Sequence, residues 1–229
     1  MPGADTRGVL YPYSLLAALV LCFTLLPAHA AGGHFDVDDA TIAEPGHCQL
    51  EAWLGRAHRI DAQLQHLGPA CRGGPVELGL NADRTRDGGG VQRSLGPQVK
   101  WVADPAAQRL SLGLVWATPW DRRHAQTLYV PLTAWATTAL QLHLNAGWDR
   151  MRGVDTTRRW GAAGEWAAGD AASVLLEHSR IVGERVSRLG GRWNLSSRLS
   201  LDLSLSRHRP AEAGGYTGAT LGLNQDFGG

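Results

Sequence analysis

Lysine is almost missing from this chain: a single one, Lys100, stands against 21 arginines. Acids and bases otherwise balance to a net charge of +1 over 229 residues. Nucleic-acid binding usually rests on a strongly basic domain, so this balance argues against a nucleic-acid partner. Charged residues make up only 19% of the chain. The long amphipathic Ala/Leu/Glu/Lys helices of a soluble helical enzyme are absent. So are Gly-x-Ser-x-Gly, Gly-x-Gly-x-x-Gly, HExxH and a phosphate loop, and Gly88-Gly89-Gly90 follows no buried strand–helix pattern. No catalytic residue, no metal site and no cofactor is assigned. Glu177-His178-Ser179 offers the residue types of a hydrolase, but neighbours along a strand point to opposite faces and cannot act together.

Long apolar runs are equally scarce. The one at Ser14–Leu26 falls short of the ~20 residues that span a bilayer. It follows Arg7 and precedes Pro27-Ala28-His29-Ala30, the charge, apolar core and small-residue site of a secretory signal. Residues 1–30 are therefore expected to be a signal peptide cut after Ala30, taking Cys22 with it. Cys48 and Cys71 remain, and an even pair in an exported chain predicts a disulfide.

What the chain has in abundance is alternation. Leu110-Ser-Leu112-Gly-Leu114-Val-Trp116, Leu140-Gln-Leu142-His-Leu144 and Leu199-Ser-Leu201-Asp-Leu203-Ser-Leu205 place an apolar residue at every second position. Period two gives a strand with one apolar and one polar face. Such segments of about ten residues, separated by turn signals, mark a transmembrane β-barrel. The pattern predicts an all-β, antiparallel transmembrane barrel of about twelve strands, with ten the alternative. It occupies 48–229, behind a periplasmic N-terminal lead at 31–47. Long polar links are expected outside the cell at Asp83–Arg93, Pro119–Ala125, Arg150–Thr157 and His208–Gly215, with short ones on the periplasmic side.

Most arginines then fall at the outer ends of the strands, among them Arg56, Arg84, Arg93, Arg122, Arg123, Arg150, Arg158, Arg159, Arg180, Arg185, Arg188, Arg207 and Arg209. Guanidinium groups bind phosphate through two parallel bonds. Outer-membrane lipid and lipopolysaccharide are therefore expected partners, with ordinary solvated loop charge as the other reading. Trp116, Trp120, Trp148 and Trp160 near the outer rim, and Trp101, Trp135 and Trp166 near the inner rim, predict aromatic girdles. Trp53 and Trp193 fit less cleanly. The chain ends in an alternating strand to Phe227 that resembles the signal read by the barrel-assembly machinery.

Counting along the polar face assigns Glu51, Glu77, Lys100, His143, Glu165, Glu177, Arg192 and Asp202 to the lumen, with Asn81, Gln98, Gln141, Asn145 and Asn194. Carboxylates outnumber bases, which suits a cation-preferring interior. The same residues also suit a structural network in which Lys100 and Arg192 pair with nearby glutamates.

The stretch Val37-Asp38-Asp39-Ala40, the turn at Gly46 and the strand opening Gln49-Leu50-Glu51 resemble the start of a proteobacterial porin-like outer-membrane family. That family is linked to the meta-cleavage pathway of phenol degradation. The resemblance spans about sixteen residues, and Cys48 departs from it. It implies a β-barrel in the cell outer membrane and carries no catalytic residue. The expected function is a passive channel or uptake pore for small, apolar or aromatic molecules. The alternatives are a closed structural or adhesive barrel holding lipopolysaccharide through Arg-rich loops, and a soluble periplasmic carrier.

Overall fold

The computed structural model describes residues 33–103, 109–120, 125–211 and 213–228. The expected signal peptide, with its cut after Ala30, and Arg122 and Arg123 lie outside them. Twelve strands run β1 (Cys48–His58), β2 (Ala62–Gly73), β3 (Val76–Asp87), β4 (Gly90–Ala103), β5 (Leu110–Ala117), β6 (Gln126–Trp135), β7 (Leu140–Met151), β8 (Val154–Ala167), β9 (Ala172–Ile181), β10 (Glu184–Ser196), β11 (Leu199–Arg209) and β12 (Tyr216–Phe227). Each pairs antiparallel with its sequence neighbours, and β1 closes on β12 from Cys48↔Phe227 to His58↔Thr217. Closure gives every strand a partner on both sides, so the ring lacks the open edge strand that would invite association.

The alternation sorts side chains by face. Leu54, Leu78, Leu114, Leu144, Leu176 and Leu205 point outward, Leu176 with 62% and Leu205 with 65% of its surface exposed. Glu77, Lys100, His143, Glu177, Arg192 and Asp202 are buried on the inward face. The ring is thus inverted relative to a water-soluble protein, with its greasy residues outside and its ionised ones enclosed.

Cys48 and Cys71 are directly opposed on β1 and β2 and form a disulfide across a separation of 23 residues. Closing a loop of that length stabilises the fold by about 3 kcal/mol. Replacing both cysteines by alanine is expected to lower the free energy of urea unfolding by that amount, and a reductant should leave the variant unchanged.

The links differ from the sequence expectation. Strands β3 and β4 continue to a two-residue turn at 88–89, β7 and β8 to one at 152–153, and β9 and β10 to one at 182–183. The region Asp83–Arg93 is therefore mostly ladder, with Arg84↔Arg93 and Arg86↔Val91 in register. Polar residues beyond the apolar band still pair, and hydropathy could not see them. At the turn of β9 and β10, Val182 and Gly183 have φ of 49° and 80°. That is the double left-handed geometry that suits a twisted two-residue hairpin.

Candidate functional site

The start of β1 and the end of β12 lie at one end of the ring, here the terminal end; the opposite end is the far end. Residues 31–47 were expected to form a periplasmic N-terminal lead. The described part of this segment lies inside the ring. Its backbone and side chains make polar contacts with every strand from β2 to β11.

The segment has no ladder of its own, so wall side chains supply its backbone partners, as buried peptide groups require. The Val37 and Asp36 amides donate to Glu177 at 3.0 and 3.2 Å. Asn145 bridges the Asp38 backbone, accepting from its N–H at 2.8 Å and donating to its carbonyl at 2.7 Å. The Ala40 amide donates to Thr133 Oγ1 at 2.8 Å, and its carbonyl accepts from Ser111 Oγ at 2.6 Å. The Ala43 amide donates to Glu77 at 2.8 Å, and its carbonyl accepts from Arg72 at 3.1 Å.

The charges are matched too. Lys100 Nζ donates to Asp38 Oδ1 at 2.9 Å and to Asp39 Oδ1 at 3.1 Å, and Asp39 retains 2% of its surface. Tyr129 donates its hydroxyl to Asp38 Oδ2 at 3.0 Å. Arg188 donates to the His34 carbonyl at 2.8 Å and lies 3.3 Å from the Asp36 carboxylate. His34 sits against Ser204 at 2.6 Å. Burial, with Arg188 beside it, lowers the His34 imidazole to about 4.

Wall glycines complete the seat. A Cβ on Gly161 would stand 2.5 Å from Val37 Cγ2, on Gly190 2.8 Å from the Phe35 ring, and on Gly222 2.8 Å from His34. Only an absent side chain leaves these three plug residues room.

Apart from the plug, the wall holds its own pairs. Arg192 and Asp202 face each other on β10 and β11 and form a two-pronged bridge at 2.7 and 2.8 Å, which Asn224 joins at 2.9 Å. Arg188 bonds its opposite number Glu177 at 2.6 Å. Glu165 accepts from Ser173 at 2.6 Å, and His143 meets Thr133 at 2.9 Å. Glu51 lies on the inward register of β1. The expected glutamate partners of Lys100 and Arg192 are replaced by plug aspartates and by Asp202. A shorter side chain directly opposite suits Arg192's fork, and Lys100 has the reach to leave its neighbour Glu77.

Two arginines assigned to the outer ends of the strands, Arg159 and Arg188, turn inward, Arg188 buried and Arg159 partly so. Among the tryptophans, Trp101, Trp116, Trp120, Trp148, Trp160 and Trp166 are exposed, as is Trp193. Trp135 shares the inward register of Thr133, and Trp53 turns inward to stack on His66 at 5.1 Å. Glu177 and Ser179 point into the lumen, while His178 bonds Ser187 on the outer face at 2.8 Å. The three cannot form a catalytic set. Among the described residues no three His, Cys, Asp or Glu side chains gather to hold a metal.

The plug itself escaped sequence reasoning. Its signal was three acids, Asp36, Asp38 and Asp39, placed before the first strand of a barrel whose wall carries the chain's one lysine.

The architecture matches that of solved barrels. The KdgM porin superposes with a TM-score of 0.63 at 10% identity, covering 79% of this chain and 99% of that one. The NanC porin gives 0.59 at 9% identity, covering 77% and 98%. The COG4313 outer membrane channel from Pseudomonas putida F1 gives 0.56 at 14% identity, covering 85% and 100%. At such identities the likeness is one of fold. No curated protein matches the chain. A family model described as uncharacterised conserved protein UCP029691 matches residues 19–224; the phenol-pathway kinship suggested by the opening residues finds no counterpart in that description.

Proposed function

The chain belongs to the family of uncharacterised conserved protein UCP029691, and from its barrel we propose that it is an outer-membrane pore for small hydrophilic solutes, held shut by its own N-terminal segment. One observation carries this reading: leucines cover the outside of a closed ring whose inside is lined with carboxylates, amides, hydroxyls and guanidinium groups. An exposed apolar belt of this extent is costly in water and favourable in lipid. It weighs against a soluble carrier, whose apolar face would turn inward. The lining is mainly polar, which favours hydrophilic solutes over apolar or aromatic ones. The excess of inward carboxylates favours small cations over anions. The strand ending at Phe227 is the segment offered to the assembly machinery.

The plug favours one further reading, that of a permanently closed structural barrel. Planar bilayers separate the two. The intact chain is expected to conduct weakly and intermittently, and a variant lacking residues 33–43 to conduct steadily with cation preference. A deletion variant that folds, inserts and stays silent would establish the structural barrel. Protein that folds in water without detergent would overturn both.

A further inference from the structure

The outer wall of β9–β11 is layered across the strands. Leu176, Leu189 and Leu205 are directly opposed in one row. Two residues nearer the far end come His178, Ser187 and Arg207, and two further on Arg180, Arg185 and Arg209. Like charges directly opposite one another destabilise a sheet, yet three guanidinium groups stand here side by side. Among the described residues none of the three guanidinium groups has a hydrogen bond or ion pair, and Arg180 Nε is buried without a partner. The acids of these strands, Glu177, Glu184 and Asp202, all turn inward to Arg188, Tyr216 and Arg192. Beneath the arginine row lies an open outward groove of about 620 Å3, floored by Leu176, Leu189 and Leu205 and bordered by Arg56, His58 and Arg207.

We infer that this face binds a membrane lipid carrying two phosphates on its head. The Arg180–Arg185–Arg209 row and Arg207 grip the phosphates, and an acyl chain lies along the leucines. Guanidinium forks match phosphate oxygens in pairs, and a doubly charged head relieves the repulsion within the row. The leucine floor supplies the apolar half of the ligand's contact, which free phosphate could not use. The inference rests on the membrane reading of the barrel and adds a fixed lipid site to it.

The test uses the full chain folded in detergent micelles, titrated with diphosphoryl lipid A, monophosphoryl lipid A and inorganic phosphate. Diphosphoryl lipid A is expected to bind about tenfold more tightly than the monophosphoryl form. Combining Arg180→Gln, Arg185→Gln and Arg209→Gln should erase that difference while leaving heat-modifiable gel mobility unchanged. The triple lysine variant should fall between, keeping charge without the fork. Equal affinity for the two lipids, an unaffected glutamine variant, or displacement by an equal concentration of inorganic phosphate would each overturn the site. If the barrel folds into micelles and only the phosphate preference is missing, this inference fails while the pore reading stands. Failure to enter micelles at all would remove the pore reading as well.

Discussion

Lys100→Met is expected to unseat the plug and raise single-channel conductance toward that of the deletion variant. Lys100 is the hub of the docked state, with Asp38 and Asp39 on its ammonium at 2.9 and 3.1 Å. Removing one partner of a buried ion pair costs about 3–5 kcal/mol, because the remaining charge stays desolvated. Here the segment can escape that cost by leaving the lumen. At about 1.4 kcal/mol per tenfold, the seated fraction falls relative to the free one by a factor on the order of a hundred or more. Open dwell times in bilayers and protease cutting within 33–43 should rise together. Lys100→Arg should stay largely closed. Adding Asp38→Asn and Asp39→Asn to Lys100→Met should restore much of the seating. Unchanged dwell times in Lys100→Met would contradict the role given to the lysine. Acid should act in the same direction. The seated state holds His34 neutral with its imidazole lowered to about 4. Its contribution is complete above the ordinary value near 6.5 and declines as pH falls toward 4.

Asp202→Ala is expected to lower barrel stability by about 3–5 kcal/mol, the cost of stripping a buried guanidinium of its carboxylate. Asp202 is fully buried, with Arg192 on both of its oxygens and Asn224 on one of them. The reading is the urea midpoint in detergent or vesicles. A double variant, Asp202→Ala with Arg192→Leu, should recover much of the loss, since the stranded charge is then gone. If the double variant is as unstable as the sum of the single ones, the pair is not the unit described. Because Gly33 packs against this pair, the double variant should also loosen the start of the plug.

Much of this fold was legible in the sequence because a barrel strand repeats with period two and its leucines fall on one side only. Leu110–Trp116 and Leu199–Leu205 declare their faces without reference to any partner. The inward set followed by counting, which is how Glu77, Lys100, Glu177, Arg192 and Asp202 came to be assigned to the inner wall. Strand ends were less legible. At Thr85-Arg86-Asp87 both faces are polar, so the alternation fades while the backbone ladder continues. Arg159 and Arg188 show a second limit: position along a strand was read, and face was not. The plug was illegible in principle to periodicity, since an irregular segment has no period. It is specified by complementarity with side chains up to 170 residues away, as His34 with Ser204.

The bridge between Cys48 and Cys71 stands where the plug joins the wall, and the His47 carbonyl accepts the Arg72 amide beside it. A segment released from the lumen is therefore leashed at its root. Its return is an encounter within one molecule, at an effective concentration on the order of millimolar for so short a tether. Opening would then be brief and self-limiting, and a solute able to occupy the Lys100 seat would hold the gate ajar only for as long as it stayed.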